Sequence, residues 1–302
     1  MAKKNPLVSV CIGTYNRERY IRECMDSVLA QNYPNLEIVV VDDASTDATV
    51  DIVRSYGDAV RLVVRDVNSG VCQVTRNQAS RLASGTYIAY LDSDDAWLPG
   101  KLHQQVAFME AHPAIPLSHT YCEVIDADSR FVRVRHEGVL PPTGPCFTEL
   151  INHCFITIST AMVRRSLFDQ VGYFDEDRFW RIGEDYEFFL RVAKRYPIGL
   201  VDAVLGKYRR SDSGITANNW TYTPRCVPIH VWLLEHKERW EGSATKSQMV
   251  AALSHACCEN YHYWLARNDM EKASWFVATW RHYHPFSLTA WKAHFSLKRV
   301  RG

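Results

Sequence analysis

Apolar residues fall along the first hundred positions in two alternating rhythms. Short, mostly apolar runs at 7–12, 36–41, 60–65 and 87–91 predict strands. Between them Tyr20, Ile21, Cys24, Met25, Val28 and Leu29 recur at helical spacing, as do Val50, Val53 and Tyr56, and a third helix is expected between Gly70 and Gly85. Asn16 is a candidate N-cap for the first helix, and Thr46 or Asp47 for the second. The alternation predicts a parallel α/β sheet covered on both faces, with ligands outside the carboxyl ends of its strands. Those ends carry Thr14-Tyr15, Asp42-Asp43 and Asp92-Ser93-Asp94-Asp95.

Further along, 101–112 reads as an amphipathic helix stopped by Pro113, and 117–125 with 131–135 as a hairpin around 126–129. Residues 138–145, rich in Pro and Gly, predict a loop; 155–163 is strand-like and 164–171 a short helix. Tyr186, Phe189, Leu190, Ala193 and Tyr196 form one apolar helical stripe. From about residue 218 the pattern is helical, with a long helix over 244–265 and another started by Asn268-Asp269. Together these two resemble a single helical-repeat hairpin.

The composition is that of an ordinary globular chain, 47% hydrophobic and 23% charged over 302 residues, long enough for one large or two modest domains. A net charge of +1 argues against a nucleic-acid partner, which wants a strongly basic face. The nine cysteines are scattered without a Cys-x-x-Cys pair, so neither zinc nor a disulfide framework is signalled, and a reduced cytoplasmic setting is expected. Residues 1–6 lack the apolar segment of a signal peptide, and no run of about 18 apolar residues predicts a membrane-spanning helix.

The chemistry concentrates at 92–95. Residues two apart on a strand point the same way, so Asp92 and Asp94 converge if the strand persists, and each raises the other's pKa. A hard divalent cation such as Mg²⁺, Mn²⁺ or Ca²⁺ relieves that repulsion; a solvated turn is the competing reading. Neither a Gly-x-x-x-x-Gly-Lys-Ser/Thr loop nor a Gly-x-Gly-x-x-Gly fingerprint is present. Phosphate bound here must therefore be met by a cation on acidic residues, for which Asp94 is placed. Glu184-Asp185 open the later apolar helix, where the helix dipole alone favours carboxylates.

Five motifs stand in order: Val8-Ser9-Val10 running to Thr14-Tyr15-Asn16-Arg17; Val41-Asp42-Asp43-Ala44-Ser45-Thr46-Asp47; Arg76-Asn77; Leu91-Asp92-Ser93-Asp94-Asp95 before Trp97-Leu98-Pro99; and Gly183-Glu184-Asp185. Over residues 6–217 the chain resembles the family-2 inverting glycosyltransferases of the GT-A fold. The resemblance implies a Rossmann-like mixed α/β sheet, with a nucleotide-sugar half over 1–112, an acceptor half over 113–217 and a C-terminal helical extension over 218–302. It implies that Asp43 hydrogen-bonds the nucleobase with Tyr15 lying against it, that Thr14 and Arg76 lie at the nucleotide and that Asp92 meets the ribose. It implies further that Asp94 ligates a divalent cation (Mn²⁺ or Mg²⁺) on the diphosphate and that Asp185 is the general base, with Glu184 orienting the acceptor or the local backbone. The donor would be a nucleoside-diphosphate sugar, by family habit a UDP-sugar, and the acceptor a glycan or lipid-linked saccharide of surface polysaccharide synthesis.

Plainer roles compete at several of these positions: Asp42 and Asp43 as caps of the following helix, Arg76 as a surface charge, Tyr15 as core. Arg209 and Arg210 are candidate diphosphate clamps or part of an ordinary basic loop; Ser211 stands where the family often has a histidine, so no histidine metal ligand is implied. Two other functions are weighed. A sugar nucleotidyltransferase wants a glycine-rich basic loop after the first strand, which 13–17 does not supply, and a non-catalytic glycan-binding scaffold sits poorly with Asp92, Asp94 and Asp185 all present. The tail after Glu271 carries Phe286, Leu288, Trp291 and Phe295 among Lys292, Lys298, Arg299 and Arg301. It either packs on its own protein or a second subunit, or lies on an anionic membrane surface from the cytoplasmic side.

Overall fold

The computed structural model describes residues 5–135, 143–177, 182–210 and 226–301. Its chain divides into two compact units: Met1–Cys146 with Phe155–Ser211, and Phe147–Cys154 with Asp212–Gly302. The predicted loop at 138–145 falls largely outside the described residues, as do Ser211 and the start of the helical region near 218.

The first unit opens with β1 (Val8–Thr14), α1 (Ile21–Leu29), β2 (Leu36–Asp42), α2 (Thr49–Arg54), β3 (Arg61–Val64), α3 (Cys72–Leu82) and β4 (Tyr87–Tyr90). Strands β3, β2, β1 and β4 pair in parallel, with Thr14 beside Asp42 and Asp42 beside Val64, so their carboxyl ends finish on one level. Both faces of β1 and β4 are buried, as continuous apolar runs demand. Helix α3 lies close on β1: a Cβ at Gly13 would run into the side chain of Thr75, so glycine there sets the helix–strand spacing.

After β4 the sheet stops being parallel. Next come β5 (Ala96–Trp97), α4 (Lys101–Ala111), β6 (Leu117–Ile125) and β7 (Phe131–Val134). Beyond α5 (Phe147–Asn152), which groups with the second unit, lie β8 (Met162–Arg164), α6 (Phe168–Val171), α7 (Glu184–Ala193) and β9 (Ile198–Arg209). The order is β3-β2-β1-β4-β8-β6-β9-β5 with β7 on β6; β8 runs antiparallel to β4 and β6, while β9 runs parallel to β6. The first four strands are parallel as the alternation predicts, and the later ones make the sheet mixed, as the resemblance implies.

Local differences have local causes. Strand β9 escapes pattern reading because register shifts against β6 at 120–122 interrupt the two-residue alternation. The predicted strand at 155–163 is instead a 3₁₀ turn at Ile158–Thr160 leading into β8, since the Thr160 backbone and hydroxyl both donate to the Thr157 carbonyl. Asn16 does not cap α1, which begins at Ile21; with φ 48° it ties the end of β1 to the loop after β2, its N–H donating to Ser45 Oγ and its Oδ1 accepting from Thr46 N–H. Asp47 acts just ahead of α2, accepting from Thr49 N–H at 2.9 Å.

The second unit is helical: α5, α8 (Val227–Glu235), α9 (Lys246–Leu265), α10 (Met270–Tyr283) and α11 (Leu288–Arg301). Thr245 and Gln248 close a reciprocal capping box on α9, and Asp269 caps α10 by accepting from Lys272 N–H. Among the described residues no helix is long and apolar enough to cross a membrane.

Candidate active site

The site is built on α3. Its inner face carries Arg76, whose guanidinium is almost fully buried and donates to Asp92 Oδ1 at 2.9 Å and to Glu184 Oε1 at 2.6 Å. One buried cation therefore joins the acidic turn after β4 to the acidic start of α7. The competing surface-charge role for Arg76 is excluded by its burial. Its guanidinium is engaged with two protein carboxylates, Asp92 among them. Cys72 Sγ lies 3.1 Å from Glu184 Oε1 and adds a second hold on that carboxylate.

Helix α7 starts abruptly because Gly183 adopts φ 94°, a left-handed conformation that glycine takes without strain. Glu184 is buried at this start, and Asp185 is half-buried with Oδ1 accepting from Tyr186 N–H. Burial and the neighbouring Glu184 charge push the Asp185 carboxyl up to about 7, against the opposing pull of Arg76. Behind it Glu187 holds Arg191 through both oxygens, and Arg191 donates to the carbonyls of Val171 and Tyr173. Asn77 accepts from Phe174 N–H and donates to Phe174 O and Glu176 Oε1, so α3 also fixes the chain leading toward α7.

The three aspartates at 92–95 divide by exposure. Asp95 is turned inward, accepting from Arg209 N–H at 2.8 Å and from Ser159 Oγ at 2.5 Å, and burial and Asp94 raise its pKa. It holds β9 and the 3₁₀ turn against the site. Asp92 and Asp94 keep side-chain exposures of 38% and 23%, enough for a ligand to reach them. Burial and the Asp92 charge raise the Asp94 carboxyl, and Arg17, whose Nε stands 3.3 Å from Asp94 Oδ2, counters this.

At the ends of β1 and β2, Tyr15 is 43% exposed and so is not core. Thr14 Oγ1 is buried and has no hydrogen-bond partner among the described residues. Asp42 is no helix cap; it accepts from Ser45 N–H and Oγ, closing a tight turn. Asp43 is buried, accepting from Ser69 N–H and Oγ and pairing with Arg65 Nε at 2.9 Å. It thereby holds the loop between β3 and α3.

Arg209 departs from the clamp expected of it. Its side chain is 1% exposed, donating to Asp94 O, Asp126 O, Ser129 Oγ and Glu23 Oε2 and lying over the Tyr20 ring. It braces the acidic turn from behind. Arg210 is exposed at the end of β9, with its backbone N–H on Ile125 O. Sequence reading did not single out Arg17 or Ser159; their positions in the 13–17 motif and in a Thr/Ser-rich run were the available signals.

Among the described residues no three His, Cys, Asp or Glu side chains form a complete metal cage. Mg²⁺ and its relatives in phosphate sites usually take one or two carboxylates and leave their other positions to water and phosphate oxygens. The partly exposed Asp94 carboxylate, raised by burial and by the neighbouring Asp92 charge, fits such an ion. Asp94 is the residue that would hold it.

A mixed sheet whose first four strands run parallel, with acidic residues at 92–95 and 184–185, has the GT-A fold. Solved structures share this fold: S. aureus TarS 1-349 in complex with UDP-GlcNAc superposes with a TM-score of 0.65 at 20% identity, covering 90% of this chain and 80% of that one. The mannosyltransferase PcManGT from Pyrobaculum calidifontis, in complex with GDP-Man and Mn²⁺, gives 0.62 at 22% identity over 99% of this chain and 81% of that one. Residues 9–172 match Glycosyl transferase family 2. The chain is 31% identical over 224 residues to the putative teichuronic acid biosynthesis glycosyltransferase TuaG of Bacillus subtilis, covering 73% of this chain and 85% of TuaG. It is also 31% identical over 220 residues to the Escherichia coli UDP-Glc:alpha-D-GlcNAc-diphosphoundecaprenol beta-1,3-glucosyltransferase WfgD, covering 71% and 81%. An uncharacterized glycosyltransferase of Rickettsia felis is longer, and the chain spans 33% of its length at 34% identity. The chain belongs to glycosyl transferase family 2.

Proposed function

We propose that this glycosyltransferase moves a sugar, with inversion, from a nucleoside-diphosphate sugar to a hydroxyl of a glycan or lipid-linked acceptor. The observation that carries the reading is the Arg76 bridge. It sets the acidic turn suited to a donor diphosphate beside an aspartate whose pKa of about 7 suits a general base. Asp185 takes the acceptor hydroxyl's proton as that oxygen attacks the anomeric carbon. The new glycosidic bond forms as the bond from that carbon to the diphosphate oxygen breaks, and the electron pair leaves with the nucleoside diphosphate. Thr14, Tyr15 and Asp43 shape the nucleotide end and Asp92 meets the ribose. Glu184, held by Arg76, fixes the backbone that aims Asp185. A divalent cation held through Asp94 and the donor's phosphate oxygens would stabilise the charge growing on the leaving group.

A uridine-diphosphate donor and an acceptor in cell-surface polysaccharide synthesis are supported by the named activity of WfgD, by the pathway in the name of TuaG and by the UDP-GlcNAc bound to TarS; PcManGT carries GDP-Man, so the base is the weaker assignment. The working setting is cytoplasmic, at the membrane face where a lipid-linked acceptor would be presented.

Two measurements test this reading. Nucleoside-diphosphate release from a panel of sugar nucleotides is expected to stop on adding chelator and return with Mn²⁺ or Mg²⁺. Release unaffected by chelator removes the cation, and no release from any donor favours the scaffold reading. A base must be deprotonated to work, so kcat/KM is expected to rise with pH through an acid limb near 7 and not near the ordinary aspartate value of 3.8. A flat profile between pH 5 and 8 would remove Asp185 from this role.

A further inference from the structure

Helix α11 has two unlike sides. Ala290, Ala293 and Leu297 are buried, whereas Leu288 and Phe295, seven residues apart and so on the opposite side, are 78% and 54% exposed. Lys292 lies exposed between them, and Phe286, just ahead of the helix, is 91% exposed. The patch is rigidly mounted: Trp291 stacks on Phe295, donates from Nε1 to Pro285 O at 2.7 Å and carries Arg281 of α10 over its ring at 3.6 Å. Scattered apolar surface residues are ordinary, but three large ones along one short segment, around a lysine, mark an interaction surface.

The charge pattern decides the partner. After Glu271 the sequence has no carboxylate side chain; Lys272 is paired with Asp269 and Arg281 lies over Trp291, which leaves Lys292 in the patch with Lys298, Arg299 and Arg301 following it in the sequence. A symmetric pairing of two copies through this patch would bring like charges together, since a two-fold interface sets each surface against itself. An anionic bilayer meets both features: acyl chains take the apolar side chains and headgroups take the cations. We infer that Phe286, Leu288, Lys292 and Phe295 form a membrane-docking face that seats the C-terminal unit on an anionic lipid surface. The inference goes beyond the transferase reading and stands on this unit alone.

Its test is sedimentation of the full chain with vesicles of one part phosphatidylglycerol to two parts phosphatidylcholine, against phosphatidylcholine alone. Expected is binding to the anionic vesicles that weakens with salt. It should fall about fivefold or more in Lys292→Glu, and at least about a hundredfold in the combined Phe286→Ser, Leu288→Ser and Phe295→Ser variant. All four positions are at the surface, so circular dichroism should be unchanged; if the triple variant misfolds, Lys292→Glu alone decides. No binding, equal binding to both vesicle types, or binding indifferent to Lys292→Glu overturns the inference. So does a concentration-dependent dimer in light scattering that the triple variant abolishes, which would make the face a contact between copies. Because the readout is partition and not turnover, failure here leaves the transferase reading standing, and an inactive protein that still binds vesicles fails only that reading.

Discussion

Asp185→Asn should lower kcat about 10²–10⁴-fold, the usual contribution of a positioned general base, while leaving nucleotide affinity close to that of the unaltered protein. The amide keeps the side chain's size and its place at the start of α7, where Oδ1 meets Tyr186 N–H. It cannot accept the acceptor's proton. The same substitution should move stability in the opposite direction. Burial and Glu184 raise this carboxyl from 3.8 to about 7, so between those values the folded state binds the proton more tightly than the unfolded state does. Stability therefore falls as pH rises through that window, and the ionised aspartate is a cost above it. Asp185→Asn removes the cost: at pH 8 the variant should be more stable by roughly 1–4 kcal/mol, with the difference vanishing toward pH 4. Denaturant titrations at the two pH values beside single-turnover kinetics check both halves. Near-native turnover would remove Asp185 as the base, and a variant less stable at pH 8 would contradict the electrostatic argument.

Arg76→Met is the second large effect. The guanidinium is buried between Asp92 and Glu184 and lies 5.2 Å from the Phe174 ring centre. Breaking a buried charge pair by removing one partner typically costs about 3–5 kcal/mol, because the remaining charge stays buried without compensation. Arg76→Met should lose that much in chemical denaturation, and Glu184→Gln in the same chain should recover part of it. Arg76 also holds the Asp185 pKa down, so the acid limb of kcat/KM should shift above 7 in whatever fraction folds. Arg76→Lys separates this from a nucleotide-binding role. A residue that merely grips the donor would weaken binding there and leave both the stability and the acid limb where they were.

Much of the fold was legible because its signals are local. Apolar runs marked β1, β2 and β4, helical spacing marked α1 and α7, and the long helical stretch at 244–265 and the Asn268-Asp269 start marked α9 and α10. Where backbone irregularity breaks the period the reading failed, as in β9 with its bulges and at the 3₁₀ turn before β8. The acidic motifs at 92–95 and 184–185 were visible as motifs, but their connection was not. The partners of Arg76 are 16 and 108 residues away, and nothing in a single sequence says which carboxylates a helical arginine will meet. The same holds for Arg209, which reads as a diphosphate clamp or part of a basic loop and is instead buried on Asp94, Asp126, Ser129 and Glu23. Long side chains reach past their own element, so their partners follow from topology and not from spacing. Burial also separates neighbours that look equivalent in sequence: Asp95 braces β9, while Asp92 and Asp94 remain open to a ligand.

On the proposed reading the acidic turn after β4 receives the diphosphate of a sugar nucleotide through a cation. The most direct test of that reading is thermal unfolding of the full chain with UDP- and GDP-sugars, with and without Mn²⁺, beside Asp94→Asn. A ligand that binds the folded state raises stability by RT ln(1 + [L]/Kd), about 2.7 kcal/mol at a hundredfold excess over Kd. Expected is a rise in Tm with at least one donor that requires the cation and disappears in Asp94→Asn. No rise with any donor in the presence of Mn²⁺, or an equal rise in Asp94→Asn, would contradict it.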